Sequence, residues 1–98
     1  MSKELKKQLK IIKDDIGNLE KTYGVKKMGV FGSFVNGKPN KKSDIDILVE
    51  FKSPVGFFKF IELEDALSKK LKREVDLVTV NALKPAIKRQ VLSSVVYV

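Results

Sequence analysis

The sequence predicts a small α/β (α+β) fold, with helices packed on a mixed β-sheet of three or four strands. Segments with apolar residues at helical spacing alternate with short segments of strand-like alternation, in the order α-β-(short helix or loop)-β-α-β-α. Of the 98 residues, 43% are hydrophobic and 33% are charged, a balance typical of a globular protein. We therefore expect one domain over residues 1–98.

The first helix has the clearest pattern. Its apolar residues follow one another at steps of three or four and lie on one stripe: Leu5, Leu9, Ile12, Ile16, Leu19 and Tyr23. Ser2 is the predicted N-cap and Gly24 the predicted C-terminal stop. The lysines off this stripe form a basic face, which is either solvated or a docking surface for an acidic partner.

Two strands are predicted next, over residues 25–31 and 43–51, separated by a loop. Gly32-Ser33 ends the first strand, and residues 34–42 contain glycine, proline and asparagine, which allow at most one helical turn. In the second strand alternate residues face opposite sides of the sheet. One side carries Ile45, Ile47, Val49 and Phe51, and the other carries Asp44, Asp46, Leu48 and Glu50.

The remaining segments predict a helix, a strand, a short helix and an end segment. The helix runs to about residue 72 on a stripe of Phe60, Leu63, Leu67 and Leu71, which Phe57 and Ile61 widen. The third strand is predicted over residues 74–80. Pro85 suits the first turn of a last helix, with Ile87 and Val91 as its apolar positions. Residues 95–98 form a tail or an edge strand.

The composition excludes several classes of chemistry. The chain has no histidine and no cysteine, which excludes Ser-His-Asp catalysis, disulfides and histidine- or cysteine-ligated zinc. A net charge of +8 suits nucleic acid, nucleotide phosphates or an acidic protein surface. The lysines are dispersed without a recognition element, so we do not expect direct nucleic-acid binding.

Membrane segments are not expected either. No apolar run approaches the roughly 18 residues that a bilayer span requires, so we expect a soluble, cytoplasmic protein without a membrane partner. The edges of so small a sheet are a hazard, because unpaired strands recruit other strands. A homodimer or a stable heterocomplex would cover them.

Three aspartates are candidates for metal binding. Asp44 and Asp46, two residues apart on a strand, share one face at about 6–7 Å along the chain. Asp76 lies in the otherwise apolar run of residues 75–80, where a carboxylate is costly unless it is exposed or bound to a metal. If the two strands are neighbours, three carboxylates converge and can hold two metal ions for phosphoryl or nucleotidyl transfer. The alternative for Asp44 and Asp46 is that both simply face solvent on an exposed face of the sheet.

Gly32-Ser33 is a candidate phosphate-binding turn. Glycine permits a close backbone approach, and serine can donate hydrogen bonds from its hydroxyl and amide groups to a phosphate oxygen. A Gly-Ser pair alone is more often a simple turn. Here it follows a predicted strand and precedes Asp44 by ten residues.

With these residues in order, the chain resembles a known family. The run GVFGSFVNGKPNKKSDIDILVEF is similar to the minimal nucleotidyltransferases of the DNA polymerase beta-like superfamily, and VDLVTVNALKP resembles their third-carboxylate strand and the turn after it. The resemblance covers essentially the whole chain. It implies transfer of AMP from ATP to a hydroxyl with release of pyrophosphate, and Mg²⁺, as two ions, as the cofactor. Many members are antitoxins paired with HEPN-domain toxins in type VII-like pairs, where the acceptor is a toxin tyrosine.

The resemblance also implies roles for individual residues. Asp44 and Asp46 match the paired metal ligands, and Asp76 matches the third carboxylate, which binds one metal and can help to deprotonate the attacking hydroxyl. The positions implied to bind nucleotide or phosphate are Gly32, Ser33, Gly37 and Ser43.

One position departs from the family pattern. Members often carry arginine before the loop glycine, where this chain has Asn36. Asparagine cannot reproduce the bidentate grip of an arginine on phosphate, although the nearby Lys38, Lys41 and Lys42 are available cations. This leaves an alternative function open: a non-catalytic antitoxin or nucleotide-binding module that neutralises its partner by contact.

Two aromatic features have both a functional and a structural interpretation. Phe57, Phe58 and Phe60 could stack on a nucleotide base, and Tyr97 could be a target of modification. We expect core packing for the phenylalanines, and packing or disorder for Tyr97.

Overall fold

A four-stranded mixed β-sheet with helices packed on it forms the fold, which confirms the predicted class and element order. The computed structural model describes residues 2–37, 39–40 and 42–98. The helices are α1 (Lys3–Tyr23), α2 (Ser33–Asn36), α3 (Phe57–Leu71) and α4 (Pro85–Ser94). The strands are β1 (Val25–Phe31), β2 (Ile45–Phe51), β3 (Val75–Thr79) and β4 (Val96–Tyr97). Residues 95–98 thus contribute an edge strand.

Both predicted ends of α1 are confirmed. The Ser2 side chain accepts a hydrogen bond from the Leu5 N–H group at 3.1 Å, which satisfies one of the free amides of the first turn. Gly24 has φ 72°, a left-handed conformation that glycine adopts without steric cost, and its N–H group donates to the Glu20 carbonyl. These caps fix the point at which the chain enters β1.

The sheet has the order β3-β2-β1-β4 and two apolar faces of unequal size. β1 pairs antiparallel with β2 and β4, whereas β2 and β3 are parallel. The larger core joins one face of the sheet to α1 and α3. The opposite face carries a smaller cluster around Leu48, Leu83 and Val91. Asp46, whose neighbours along β2 belong to the larger core, lies on this second face.

Helix α3 covers the outer edge of β3 with two polar side chains. The Val75 N–H group donates to the Ser68 hydroxyl at 3.2 Å, and the Leu77 N–H group donates to a Glu64 carboxylate oxygen at 3.0 Å. Ser68 and Glu64 are four residues apart and so lie on the same side of the helix. Amides that would otherwise be free on an edge strand are therefore paired within the chain.

Three predictions about apolar positions are wrong, and the reason is the same in each case. The predicted helix stripes include Phe57, Ile61 and Ile87, but these side chains are 71%, 41% and 46% exposed. The core that faces these helices is filled by residues at the centre of each stripe, such as Leu63 and Val91. The third strand also ends one residue earlier than predicted, because residues 80–82 form a 3-10 turn.

Gly17 offers a test of the helix assignment. It lies within α1, where an added Cβ would meet nothing within 4 Å. We expect Gly17→Ala to raise the free energy of unfolding by about 0.5–1 kcal/mol, because alanine loses less backbone entropy in a helix. Urea denaturation followed by circular dichroism measures this change. An unchanged or lower stability would contradict the open helical surface at this position.

No helix in the described part of the chain is long and apolar enough to cross a membrane.

Candidate active site

The candidate site lies at the end of the sheet where β1 ends and where β2 and β3 begin. Phe31, the last residue of β1, is paired in register with Asp46. Asp46 is paired in register with Asp76 on the parallel strand β3. Gly32 follows β1 directly, and Asp44 directly precedes β2. The predicted neighbourhood of the two acid-bearing strands is therefore confirmed, and it brings a turn and three acids to one end of the sheet.

The acids differ in their surroundings. Asp46 is half-buried, whereas Asp44 and Asp76 are exposed. Burial raises the pKa of Asp46 above its ordinary value, and the negative charges of Asp76 and then Asp44 raise it further. A cation bound beside Asp46 would offset this negative charge.

This donor set fits magnesium. Among the described residues, no group of three or more acidic side chains lies close enough to hold a metal ion, so the expected convergence of all three carboxylates on one ion is not seen. Mg²⁺ does not require such a group, because it often binds through one or two carboxylates together with substrate phosphates and water. The in-register pairing of Asp46 with Asp76 supplies two neighbouring carboxylates to a site of this kind. The residues present therefore suit Mg²⁺ better than a softer metal.

Gly32 is required by both conformation and space. Its φ of 76° and ψ of −152° lie in a region that is essentially restricted to glycine. A Cβ at this position would collide with the Asp46 carboxylate. The close approach of the turn to the acid therefore depends on the absence of a side chain at residue 32.

The short helix α2 continues from this turn. The Gly32 carbonyl accepts hydrogen bonds from the Val35 and Asn36 amides, both at 3.0 Å. The Gly37 N–H group donates to the Ser33 carbonyl at 2.7 Å, and a Cβ on Gly37 would lie at 2.7 Å from the same oxygen. Gly37 thus closes the helix that begins at the exposed Ser33.

Ser43 is involved in the structure of the loop before the first aspartate. Its hydroxyl accepts a hydrogen bond from the Asn40 N–H group at 2.9 Å, and its own N–H group donates to the Asn40 carbonyl at 3.1 Å. The Asn40 side chain also accepts a bond from the Lys42 amide at 2.8 Å. These local bonds form a turn that leads into Asp44.

The cations proposed to compensate for Asn36 are only partly located. Asn36 ends α2 and is exposed, and Lys42, directly before Ser43, is exposed as well. Lys38 and Lys41 lie outside the described residues.

The four aromatic residues singled out in the sequence lie in different surroundings. Phe57 and Phe58 are 71% and 81% exposed, so the expectation that they pack in the core is wrong for both. Phe60 packs edge-to-face on Phe51 with ring centroids 6.4 Å apart, as expected for a core residue. The Tyr97 ring lies under the Lys27 ammonium group at 3.9 Å, which agrees with a packing role.

Arg73 is a residue of the site region that sequence reasoning did not single out. It ends the basic run of residues 69–73, yet its side chain is only 7% exposed. It contacts the loop before Asp44 and the ring of Phe34. In the sequence, the position of Arg73 between the end of a helix and the strand of Asp76 could have drawn attention to it. A charged residue in a lysine-rich run is, however, more typical of a solvated surface.

The family comparison agrees with this geometry. The profile of the nucleotidyltransferase domain family matches residues 5–98. A curated relative, the protein adenylyltransferase MntA of Thermococcus cleftensis, is 48% identical over 80 residues, which covers 82% of this chain and 81% of the relative.

Solved structures share the fold. A chain assigned to the minimal nucleotidyltransferases superposes with a TM-score of 0.76 at 29% identity, and 92% of each chain is covered. A chain from a toxin–antitoxin complex with AMP-PNP superposes with a TM-score of 0.67 at 26% identity, covering 98% of this chain and 72% of that one.

Proposed function

This chain belongs to the nucleotidyltransferase domain family, and from that premise we propose that it is a magnesium-dependent enzyme that transfers AMP from ATP to a protein hydroxyl. The observation that carries the proposal is the in-register pairing of Asp46 with Asp76 beside the Gly32 turn. Acids on one face next to a turn with a close backbone approach suit a nucleotide triphosphate and its metal. Positioning and electrostatic stabilisation account for most of the catalysis in such transfers, so no histidine or cysteine is needed.

The acids would divide the chemistry between them. Asp44 and Asp46 would hold magnesium, with Asp76 as a further ligand. When bound, the ion supplies positive charge to the phosphate oxygens and lowers the pKa of the acceptor hydroxyl. The acceptor oxygen attacks the α-phosphorus of ATP, the bond to the β-phosphate oxygen breaks, and pyrophosphate leaves. The hydroxyl proton would pass to Asp76, the exposed carboxylate of the pair.

The turn and the loop would bind the triphosphate. Ser33 is exposed at the start of α2, where its hydroxyl and amide can donate to a phosphate oxygen. Gly32 keeps the backbone close to Asp46, so phosphate and acids can share one ligand. Gly37 and Ser43 would act through the loop conformation that their hydrogen bonds maintain.

We propose a HEPN-domain toxin as the partner and one of its tyrosines as the acceptor, which makes this chain the antitoxin of a type VII-like pair. Two likenesses support this. The Thermococcus relative is named a protein adenylyltransferase, and the solved toxin–antitoxin complex contains AMP-PNP, an ATP analogue. The family resemblance of the sequence contributes the HEPN class and the tyrosine. We expect the reaction to take place in the cytoplasm.

A second function remains open because of Asn36. Without an arginine at that exposed position, the chain could bind magnesium and nucleotide and still neutralise its partner by contact alone. Binding of AMP-PNP and formation of a complex, without AMP transfer, would favour this non-catalytic antitoxin.

Intact-mass spectrometry tests the proposed reaction directly. A HEPN-domain protein encoded beside this gene would be incubated with the chain, ATP and Mg²⁺, and with Asp44→Ala/Asp46→Ala as the matched inactive variant. We expect AMP-sized additions on the partner that are absent with the variant and with a partner whose tyrosines are changed to phenylalanine. A complex without additions would contradict the enzyme and support the non-catalytic antitoxin.

A further inference from the structure

Arg73 contacts three other parts of the chain, each at least 30 residues away in sequence. Its guanidinium Nη1 donates to the Asn40 carbonyl at 3.0 Å and to the Ser43 carbonyl at 2.8 Å. Nη2 donates to a Glu4 carboxylate oxygen at 3.1 Å. The guanidinium carbon lies 4.8 Å from the centroid of the Phe34 ring. The loop before β2, the N-terminal helix and the helix after the Gly32 turn therefore meet at one side chain.

Because Arg73 is buried, its site favours arginine over other residues. Its side chain is 7% exposed, and its Nε–H group, also buried, has no partner among the described residues. Removing an arginine from water is costly unless its hydrogen bonds are well made. A lysine could supply charge at this point, but it could not present a planar fork to two carbonyl groups. The contacts of Arg73 therefore depend on the planar shape of its guanidinium group as well as on its charge.

The two loop contacts bear directly on the acid cluster. Ser43 is the residue before Asp44, so a bond to its carbonyl fixes the peptide group that leads into the first aspartate. Arg73 itself lies three residues before Asp76, at the entry to β3. Phe34, under the guanidinium group, is buried and follows Ser33. One side chain thus ties the backbone on the Asp44 side to the backbone on the Asp76 side.

We infer that Arg73 is a positioning residue, which holds the loop of Asn40 and Ser43 so that Asp44 meets the metal ion bound at Asp46. The part of this inference that concerns the metal ion rests on the proposed function, whereas the part that concerns the loop does not. Partners that orient metal ligands typically affect metal affinity by about 10–100-fold. The expected consequence is a loss of magnesium affinity at saturating ATP, rather than a loss of the chemical step.

Arg73→Met removes the fork and keeps an apolar stem, whereas Arg73→Lys keeps the charge. Arg89→Met is the matched control, because it removes the chain's other arginine from an exposed position on α4. The first measurement is amide hydrogen exchange without metal. We expect the Ser43 amide, which donates to Asn40, to exchange about tenfold faster in Arg73→Met, while the Leu48 amide in the sheet keeps its rate. Equal acceleration at both sites would indicate general unfolding and overturn the inference.

Metal binding and kinetics give the second and third measurements. Titration with Mn²⁺ in the presence of saturating AMP-PNP, followed by electron paramagnetic resonance, should show about tenfold weaker binding in Arg73→Met, an intermediate value in Arg73→Lys and no change in Arg89→Met. The magnesium concentration for half-maximal AMP transfer should rise by a similar factor, with kcat largely restored at saturating magnesium. A fall in kcat at every magnesium concentration would assign Arg73 a merely structural role.

The two proposals fail in different ways. If the original chain binds Mn²⁺ and Arg73→Met binds it within about twofold as tightly, the positioning role is overturned and the proposed function stands. If the original chain binds no Mn²⁺ even with AMP-PNP present, the proposed function is overturned, and with it the link from Arg73 to the metal.

Discussion

Asp46→Asn should lower AMP transfer by about 10³-fold or more. A neutral amide in place of the half-buried carboxylate removes the charged ligand that we propose for magnesium, and charge stabilisation of several kcal/mol corresponds to about this factor in rate. Asp46 is the acid in contact with both neighbours of the site: its strand partner is Asp76, and its carboxylate occupies the space that a Cβ on Gly32 would need. Initial rates of AMP transfer at fixed ATP and Mg²⁺ measure the effect.

The same substitution should stabilise the metal-free protein. The pKa of Asp46 is raised in the folded state, mainly by burial and then by the charges of Asp76 and Asp44. The folded state therefore binds the proton more tightly, so the free energy of unfolding decreases as the pH rises through the pKa of the folded state. Asparagine carries no charge to repel. We expect Tm at neutral pH to rise by about 2–5 °C, as a fraction of a kcal/mol shifts Tm by a few degrees in a chain of this size.

The pH dependence separates this cause from a general packing effect. Near pH 3, below the ordinary aspartate pKa of about 3.9, the carboxyl is already protonated and the gain in Tm should disappear. Glu50→Gln is the matched control, because Glu50 is exposed on the same strand four residues further on. It should leave AMP transfer within about twofold and Tm within about 1 °C, as expected for an exposed side chain. A lower Tm for Asp46→Asn at neutral pH would refute the electrostatic account.

Gly32→Ala should damage stability and activity together. The backbone of Gly32 has φ 76° and ψ −152°, which costs alanine about 1–3 kcal/mol, and the new methyl group would collide with the Asp46 carboxylate. The chain must then move the turn away from the acid. Because a displacement of about 1 Å can cost about 10²-fold in rate, AMP transfer should fall by at least that factor.

Thermal unfolding and the rate of AMP transfer measure the two effects of Gly32→Ala. Gly17→Ala is the control, since it adds the same methyl group where there is open space. A folded Gly32→Ala protein with normal activity would show that the turn does not approach the acids during the reaction.

Much of the fold could be predicted because local signals agree with the tertiary structure. The N-cap Ser2, the left-handed Gly24 and the leucine stripe of α1 are each explained by a few neighbouring residues. The alternation along β2 is also a local signal, and it correctly predicts that Asp46 faces away from the core that contains Ile45 and Ile47. The convergence of Asp46 and Asp76 is different, because it depends on which strands pair, and the sequence alone does not determine that. The register of β2 and β3 confirms this pairing.

The parts that sequence reasoning missed depend on contacts across the chain. Arg73 is buried because Glu4, 69 residues earlier, and the carbonyls of Asn40 and Ser43 surround it. No spacing rule within residues 69–73 contains that information. The prediction for Phe57 was wrong for the opposite reason: its helical spacing fits a buried stripe, but it is the first residue of α3 and its side chain is 71% exposed. The roles of the individual site residues stay predictions, because no local sequence pattern identifies which ligand a side chain binds.

The Ser68 and Glu64 bonds to β3 have a consequence for self-association. At the β3 edge of the described sheet, the Val75 and Leu77 amides are already hydrogen-bonded and cannot pair with a strand of another copy. At the opposite edge, β4 is only two residues long. A short template offers few backbone bonds, so fibril-like stacking of copies is discouraged at both ends by different means. Concentrated solutions of this chain should therefore resist polymerisation. A Glu64→Ala/Ser68→Ala variant, which frees the β3 amides, should polymerise more readily.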